Sequence, residues 1–335
     1  MELEIHDKLL GLLYGQAIGD SMGVPSELWS RSVVKKKLGT ITDFQDGPAE
    51  NEVGRWFSRG EFTDDTQTAL IILESLRKTD FLVDRKVIVD NILRYANENG
   101  WFDKHFFGPS SFAALQAAMK NEDASAVIEK AETNGAAMRI SPIGGLFKSS
   151  EMEKMVNYVS DITKITHGSG VAIAGACMIA YACSLAIEDY DWDDIVAGAL
   201  QACELGYENG TDIPTASLIE RVKLGIQIAN DFEGHDEEFS QRIYDIIGAN
   251  VLTSESVVCS LVIAYYAKEP KKAALLCANL GGDTDTIGAM ATAICGAKSG
   301  IQAFESKDIE LINERNQFYI PDFADVIEKR RGTIA

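Results

Sequence analysis

Residues 171–187 read VAIAGACMIAYACSLAI, a 17-residue run that contains no charged side chain. A membrane-spanning helix needs about 20 predominantly apolar residues, so the run falls just short of that length. It is rich in glycine, alanine and cysteine, and no basic cluster flanks it. We therefore interpret it as a buried central helix against which other helices pack, and we expect no association with a membrane.

Apolar residues recur at helical spacing on both sides of this run. Leu9–Ile18 carries them at positions 9, 10, 12, 13, 17 and 18, a stripe of helical period. No segment shows sustained alternation of period two, so the predicted fold class is all-α, with ten or more helices. The loop Gly39–Phe57 leaves room for a short hairpin. Further helices are predicted over Thr66–Leu76, Val87–Tyr95, Phe112–Met119, Met152–Ile165, Ile195–Leu205, Ser217–Ala229, Glu238–Ile247, Ser256–Ala267, Lys271–Leu280 and Thr286–Ala297.

The composition excludes several classes of protein. With 46% hydrophobic and 24% charged residues in 335, the chain is typical of a globular protein rather than a disordered or disulfide-rich one. Its 31 basic and 51 acidic residues give a net charge of −20. A nucleic-acid surface needs clustered Lys and Arg. The densest cluster, Lys35–Lys37, is short and isolated, so we predict no nucleic-acid partner.

The cysteines and the N-terminus indicate the compartment. The chain has six cysteines, none in a C-x-x-C pair, and most lie among apolar residues. They are predicted to be small buried side chains in a reducing environment. Met1–Lys8 is polar and acidic, unlike a signal peptide. We therefore expect a cytoplasmic protein.

Two short motifs place paired aspartates and threonines at the start of predicted helices. They are GEFTDDTQT at Gly60–Thr68 and GGDTDT at Gly281–Thr286. Either alone could simply cap a helix N-terminus. Together they supply hard oxygen ligands without His or Cys, which favours Mg²⁺ or Mn²⁺ over zinc or copper. Because the motifs lie more than 200 residues apart, a shared site would make residues 1–335 a single domain.

Other segments complete a recognisable pattern. Gly11–Glu27, Asn134–Arg139 with the following Pro142–Gly144, and Thr166–His167 accompany the two motifs. The joint pattern, over about Leu9 to Gly300, resembles the ADP-ribosylglycohydrolase family. In that family the segments are a first helix with a glutamate loop, a ribose-binding loop and a T-H turn.

The resemblance implies a compact, orthogonal, all-α bundle with a binuclear cleft that holds two Mg²⁺ or Mn²⁺ ions. The implied reaction is hydrolysis of the bond between the anomeric carbon of ADP-ribose and an acceptor, either a protein side chain or a small conjugate. The implied catalytic residues are Glu27, on a mobile loop, and Asp65. The implied metal ligands are Thr63, Asp64, Asp65, Asp283, Asp285 and Thr286. The implied substrate-binding residues are Gly108, Ser110, Asn134, Gly135, Met138, Arg139 and His167.

Some of these residues also have simpler interpretations. Glu27 could act as a general acid or base, or lie on a plain surface loop. Arg139 could be a structural ion-pair partner, and His167 could hydrogen-bond a helix N-terminus. Asp20 is predicted to be a structural cap rather than a ligand. The sequence departs from some relatives at Phe106, where they carry an aspartate, and this leaves the acceptor type open.

Three functions remain possible at this point. The first is a metal-dependent ADP-ribosyl hydrolase. The second is a metal-dependent hydrolase of a nucleoside or a nucleotide-ribose conjugate. The third is a non-catalytic descendant, similar to an eye-lens crystallin, and the intact set of oxygen ligands argues against it. The sequence does not separate the first two, nor does it indicate the acceptor or the oligomeric state.

Overall fold

The computed structural model describes residues 4–102 and 106–334, and every regular element within these ranges is helical. This confirms the all-α fold class. Short 3₁₀ turns and isolated single-residue β-bridges join the helices. The α-helices are α1 (Ile5–Gly23), α2 (Arg31–Lys37), α3 (Asp64–Lys78), α4 (Arg85–Asn99), α5 (Pro109–Lys120), α6 (Ser125–Ile128), α7 (Ser141–Gly145), α8 (Met152–Thr163), α9 (Gly170–Ile187), α10 (Trp192–Tyr207), α11 (Leu218–Asp231), α12 (Asp236–Ile246), α13 (Thr253–Ala267), α14 (Pro270–Ala278), α15 (Thr284–Ser299), α16 (Ser306–Arg315) and α17 (Ile320–Arg330).

Each stretch with helical spacing lies on one of these helices and extends beyond its ends by at most two residues. Gly39–Phe57 is a long loop, as predicted, but the short hairpin for which it left room does not form, because its one regular element is the 3₁₀ turn Gly54–Trp56. Side-chain hydrogen bonds organise this loop instead of a strand ladder: the Asn51 Oδ1 atom accepts from the amides of Val53 and Gly54. All six cysteines are buried and free, as predicted.

The charge-free run forms α9, and every residue of this helix is buried. Helix α9 packs against α7, α8, α10, α13 and α15. Among the described residues it alone has the length and composition of a membrane span, but it lies entirely inside the protein. The prediction of a buried central helix is therefore confirmed.

Helix α1 crosses α15 at very short distance because small residues line both faces. Glycines recur at every fourth position of α1, and a Cβ added to Gly19 would lie 2.1 Å from the carbonyl oxygen of Gly288. Such close contact brings Asp20 and the segment after α1 to the start of α15. Helix α1 also packs against α3 and α17. Because α1 joins both aspartate motifs, we propose that the chain folds as one domain.

The substitution Gly19→Ala is expected to destabilise the protein by about 2–3 kcal/mol, because the added methyl group must push two helix backbones apart. The matched control is Gly108→Ala, since a Cβ at Gly108 would meet no atom within 4 Å. Urea unfolding followed by circular dichroism measures both variants. Equal stabilities of the two variants would contradict the proposed role of the α1–α15 contact.

Candidate functional site

The first aspartate motif forms the N-terminus of α3, and α1 holds it in place. The Asp20 Oδ1 atom accepts from the amide of Thr63 at 3.0 Å. Its Oδ2 atom accepts from the amide and hydroxyl of Thr66, at 3.1 and 2.6 Å. Asp20 is thus a structural cap, as predicted. Because Asp20 satisfies these donors, the side chains of Asp64 and Asp65 remain available to line a cleft.

The second motif is a tight turn that leads into α15. Gly281 and Gly282 have positive φ angles of +85° and +90°, and a Cβ on Gly282 would lie 2.0 Å from the carbonyl oxygen of Ala249. Glycine is required there because other residues rarely adopt that conformation and no space exists for a side chain. The turn delivers Asp283 and Asp285 to the same cleft.

The backbone that follows Glu27 is hydrogen-bonded to this turn. The amide of Leu28 donates to the carbonyl oxygen of Gly282 at 2.8 Å, and the amide of Gly282 donates to that of Trp29 at 2.8 Å. Leu28 itself has a φ of +54°, an uncommon value for a residue with a side chain. Glu27 is only 5% exposed, which excludes the surface-loop interpretation. Carboxylate oxygens of Glu27, Asp283 and Asp285 all lie within 4.8 Å of one another.

The cleft has a volume of about 210 Å³ and contains most of the predicted site residues. All six predicted metal ligands line it, together with Glu27 and four of the predicted substrate-binding residues, Gly108, Asn134, Gly135 and Met138. Four aromatic side chains contribute an apolar surface to the same cleft: Trp56, Phe57, Phe106 and Phe107.

Three predicted substrate-binding residues do not line the cleft: Ser110, Arg139 and His167. Arg139 and His167 are 2% and 0% exposed. Burial lowers the pKa of His167 to about 3, so its ring is neutral at physiological pH. Burial also lowers the pKa of Arg139, to about 10, and Arg139 makes no ion pair with any described residue. Direct contact of these residues with a substrate remains a prediction.

Besides its predicted role in substrate binding, Asn134 contacts a predicted metal ligand, which the sequence did not indicate. Its amide nitrogen donates to the hydroxyl of Ser256 at 2.8 Å and also to the Oδ2 atom of Asp283. Asn134 therefore orients a predicted metal ligand while lining the cleft. We expect Asn134→Ala to weaken metal binding as well as ribose binding.

Two other residues of the site escaped the sequence analysis. The side-chain amide of Asn51 donates to the carbonyl oxygen of Glu27 at 2.8 Å. The guanidinium of Arg31 donates to the carbonyl oxygens of Asn279 and Leu280, at 2.9 and 3.2 Å, just before the second motif. The Asn51 contact joins the loop Gly39–Phe57 to the backbone of Glu27, and the Arg31 contacts join the start of α2 to the turn between α14 and α15. Because neither Asn51 nor Arg31 lies in one of the sequence motifs, no local pattern predicts these contacts.

The carboxylates of the cleft repel one another. Burial and the neighbouring Asp285 raise the pKa values of Glu27, Asp64 and Asp65 well above their usual range. The same causes raise the pKa of Asp283 to about 7. Because buried charges require compensation, this cluster needs protons or cations.

The donor set fits a divalent cation. The Oε2 atom of Glu27 and the Oδ2 atom of Asp65 are buried and accept no hydrogen bond from the described residues. Carboxylate and hydroxyl oxygens are the ligands that Mg²⁺ and Mn²⁺ prefer. The residues at the cleft are thus suited to the predicted ions.

The metal-free protein is expected to lose stability as the pH rises from about 4 to 7. Carboxyls with raised pKa values bind protons more tightly in the folded state than in the unfolded state. Each such carboxyl therefore lowers the free energy of unfolding by up to about 1.4 kcal/mol for every unit by which the pH rises across this window. Mg²⁺ should restore more stability at pH 8 than at pH 5, because protons compete with the cation.

Urea unfolding at pH 5 and pH 8, with chelator and with Mg²⁺, measures this effect. The prediction fails if the chelated protein is as stable at pH 8 as at pH 5, or if Mg²⁺ stabilises it equally at both.

Known proteins resemble the chain over nearly its full length. A family model described as ADP-ribosylglycohydrolase matches residues 1–333. The uncharacterized protein YegU of Escherichia coli (strain K12) is 39% identical over 326 residues, which cover 97% of each chain. ADP-ribosylhydrolase ARH3 of Mus musculus is 23% identical over 87% of this chain and 84% of its own. A solved structure described as an ADP-ribosylglycohydrolase-related protein complex has the same fold, with a TM-score of 0.70, 22% identity and coverage of 98% and 99%.

Proposed function

The chain belongs to the ADP-ribosylglycohydrolase family, and on this premise we propose that it is a metal-dependent hydrolase of the glycosidic bond between ADP-ribose and an acceptor. The acceptor is a protein side chain or a small conjugate. One observation carries the proposal: the carboxylates of Glu27, Asp283 and Asp285 converge within 4.8 Å in a cleft that Asp64 and Asp65 also line.

Two Mg²⁺ or Mn²⁺ ions are the cofactors that this cluster would hold. Thr63, Asp64 and Asp65 at the start of α3 would supply one half of the ligands. Asp283, Asp285 and Thr286 at the start of α15 would supply the other half. When bound, divalent cations supply positive charge that orients sugar hydroxyls and makes a water molecule more acidic.

Glu27 is the residue best placed to move a proton. Its Oε2 atom is buried and accepts no hydrogen bond from any described residue, and its carboxylate lies with those of Asp283 and Asp285 although Glu27 belongs to neither aspartate motif. Glycosidic cleavage requires a group that protonates the leaving group or deprotonates the attacking water. Backbone hydrogen bonds of Leu28 and Trp29 to Gly282 anchor the chain next to Glu27 to the turn that carries Asp283 and Asp285.

The remaining lining residues suit a sugar and a planar group. Asn134 and Gly135 place polar and backbone groups next to Asp283, where ribose hydroxyls would lie. Phe57 and Phe106 have ring centroids 5.3 Å apart and give the cleft an apolar surface for a base. Because this surface would accept any nucleobase, hydrolysis of a nucleoside or a nucleotide-ribose conjugate is the second candidate function.

A purely structural role is poorly supported. A non-catalytic protein gains nothing from buried, mutually repelling carboxylates, since each one costs stability. Replacement of these carboxylates by neutral residues would stabilise a protein without a catalytic role. All of the predicted carboxylates are nevertheless present in the cleft.

A substrate panel tests the proposal. Proteins ADP-ribosylated on arginine or serine, small ADP-ribose conjugates and nucleosides are incubated with Mg²⁺, with Mn²⁺ and with chelator. We expect release of free ADP-ribose from at least one conjugate, with loss of that activity in chelator. Hydrolysis of nucleosides alone would support the second candidate. The absence of all turnover would contradict both.

A further inference from the structure

A continuous chain of hydrogen bonds runs behind the wall of the cleft. The Arg139 guanidinium donates to the Thr166 hydroxyl at 2.6 Å, and the Thr166 Oγ1 atom lies 2.8 Å from the Nδ1 atom of His167. The Nε2 atom of His167 lies 3.0 Å from the hydroxyl of Thr133, which donates to that of Ser110 at 3.2 Å. Thr166 and His167 are both fully buried, and Thr133 lines the cleft.

Arg139 fixes the direction of this chain because a guanidinium can only donate. The buried hydroxyl of Thr166 accepts from Arg139, and within residues 4–102 and 106–334 its own proton has one acceptor, the Nδ1 atom of His167. The ring proton of neutral His167 must then lie on Nε2, from which it donates to Thr133. The proton of Thr133 is in turn directed to Ser110.

We propose that His167 is a positioning residue that makes the Thr133 hydroxyl an acceptor for a hydroxyl group of the ligand. Because Thr133 lines the cleft and its proton is directed to Ser110, its hydroxyl oxygen can bond a ligand in the cleft only as an acceptor. A phosphate oxygen could not bond to that acceptor, whereas a ribose hydroxyl could. The identity of the ligand in this inference rests on the proposed function. The direction of the hydrogen bonds from Arg139 to Ser110 does not depend on that function.

The first test is the tautomer of His167 in the free protein. Long-range ¹H–¹⁵N NMR at pH 7, assigned with a His167→Gln variant, should show a protonated Nε2 and an unprotonated Nδ1. The opposite tautomer, or a doubly protonated ring, would overturn the proposal. This result is independent of whether ADP-ribose is the substrate.

The second test measures binding of ADP-ribose, and of analogues that each lack one ribose hydroxyl, by calorimetry. Thr133→Val should weaken ADP-ribose binding about tenfold, as expected for one lost hydrogen bond. Thr133→Ser, which keeps the hydroxyl, should bind nearly as the wild type. For the one analogue that lacks the hydroxyl bound by Thr133, the wild type and Thr133→Val should have the same affinity. If Thr133→Val reduces the affinity for every analogue by the same factor, the proposal is overturned. If the wild-type protein does not bind ADP-ribose, the proposed function is refuted instead.

A third comparison separates positioning from folding. His167→Leu should weaken ADP-ribose binding about tenfold while helical content and metal affinity stay unchanged, and His167→Gln, which can both donate and accept, should recover part of the loss. A well-folded His167→Leu variant with wild-type ADP-ribose affinity would contradict the positioning role.

Discussion

Glu27→Gln is expected to reduce turnover by about 10²–10⁴-fold, the usual loss when general acid–base assistance is removed. Glutamine keeps the size of the side chain and its hydrogen-bonding atoms but cannot exchange a proton. Binding of ADP-ribose should fall far less, because Asn134 and the other lining residues are unchanged. Steady-state kinetics gives the turnover number, and calorimetry on the same variant gives the binding constant.

The matched control is Glu52→Gln, the same chemical change at an exposed position of the following loop. It should leave both quantities unchanged. If Glu27→Gln instead turns over at nearly the wild-type rate from pH 6 to 9, then Glu27 takes no part in proton transfer.

Asp285→Asn should abolish most metal binding and activity while stabilising the metal-free protein at pH 8. Asp285 raises the pKa values of Glu27, Asp64 and Asp65, so its negative charge acts on every part of the cluster. Removal of one charged ligand weakens the attraction for a divalent cation, and the same removal relieves repulsion when no cation is bound.

Calorimetric titration with Mn²⁺ and urea unfolding in chelator measure the two effects. Asp161→Asn, at an exposed position of α8, is the control and should change neither. An Asp285→Asn variant with full metal affinity and full activity would show that the two motifs do not form a metal site.

The sequence predicted those parts of the protein that depend on local spacing. The charge-free run, the helical stripes and the two aspartate motifs are each contained in a short segment, so their structure follows from neighbouring residues. Asp20 was correctly assigned as a cap. The glycines at every fourth position of α1 were visible as well, but their packing partner on α15 was not.

Residues that act through distant contacts could not be predicted. Asn51 lies in a loop without periodicity and reaches the backbone of Glu27 only in the folded protein. Arg139 and His167 are polar residues of a kind often found in binding sites, yet the fold buries both behind the cleft. Helices α16 and α17 were missed although their apolar residues, such as Ile320, Phe323, Ala324 and Ile327 of α17, recur at helical spacing.

The most direct test is a crystal structure of the protein with Mn²⁺ and ADP-ribose, recorded with anomalous scattering from manganese. We predict anomalous peaks among the side chains of Asp64, Asp65, Asp283 and Asp285, with the ribose between the peaks and Asn134. A map with no manganese at these carboxylates, or with ADP-ribose bound elsewhere, would contradict the proposal that this cleft is a metal-dependent ADP-ribosyl hydrolase site.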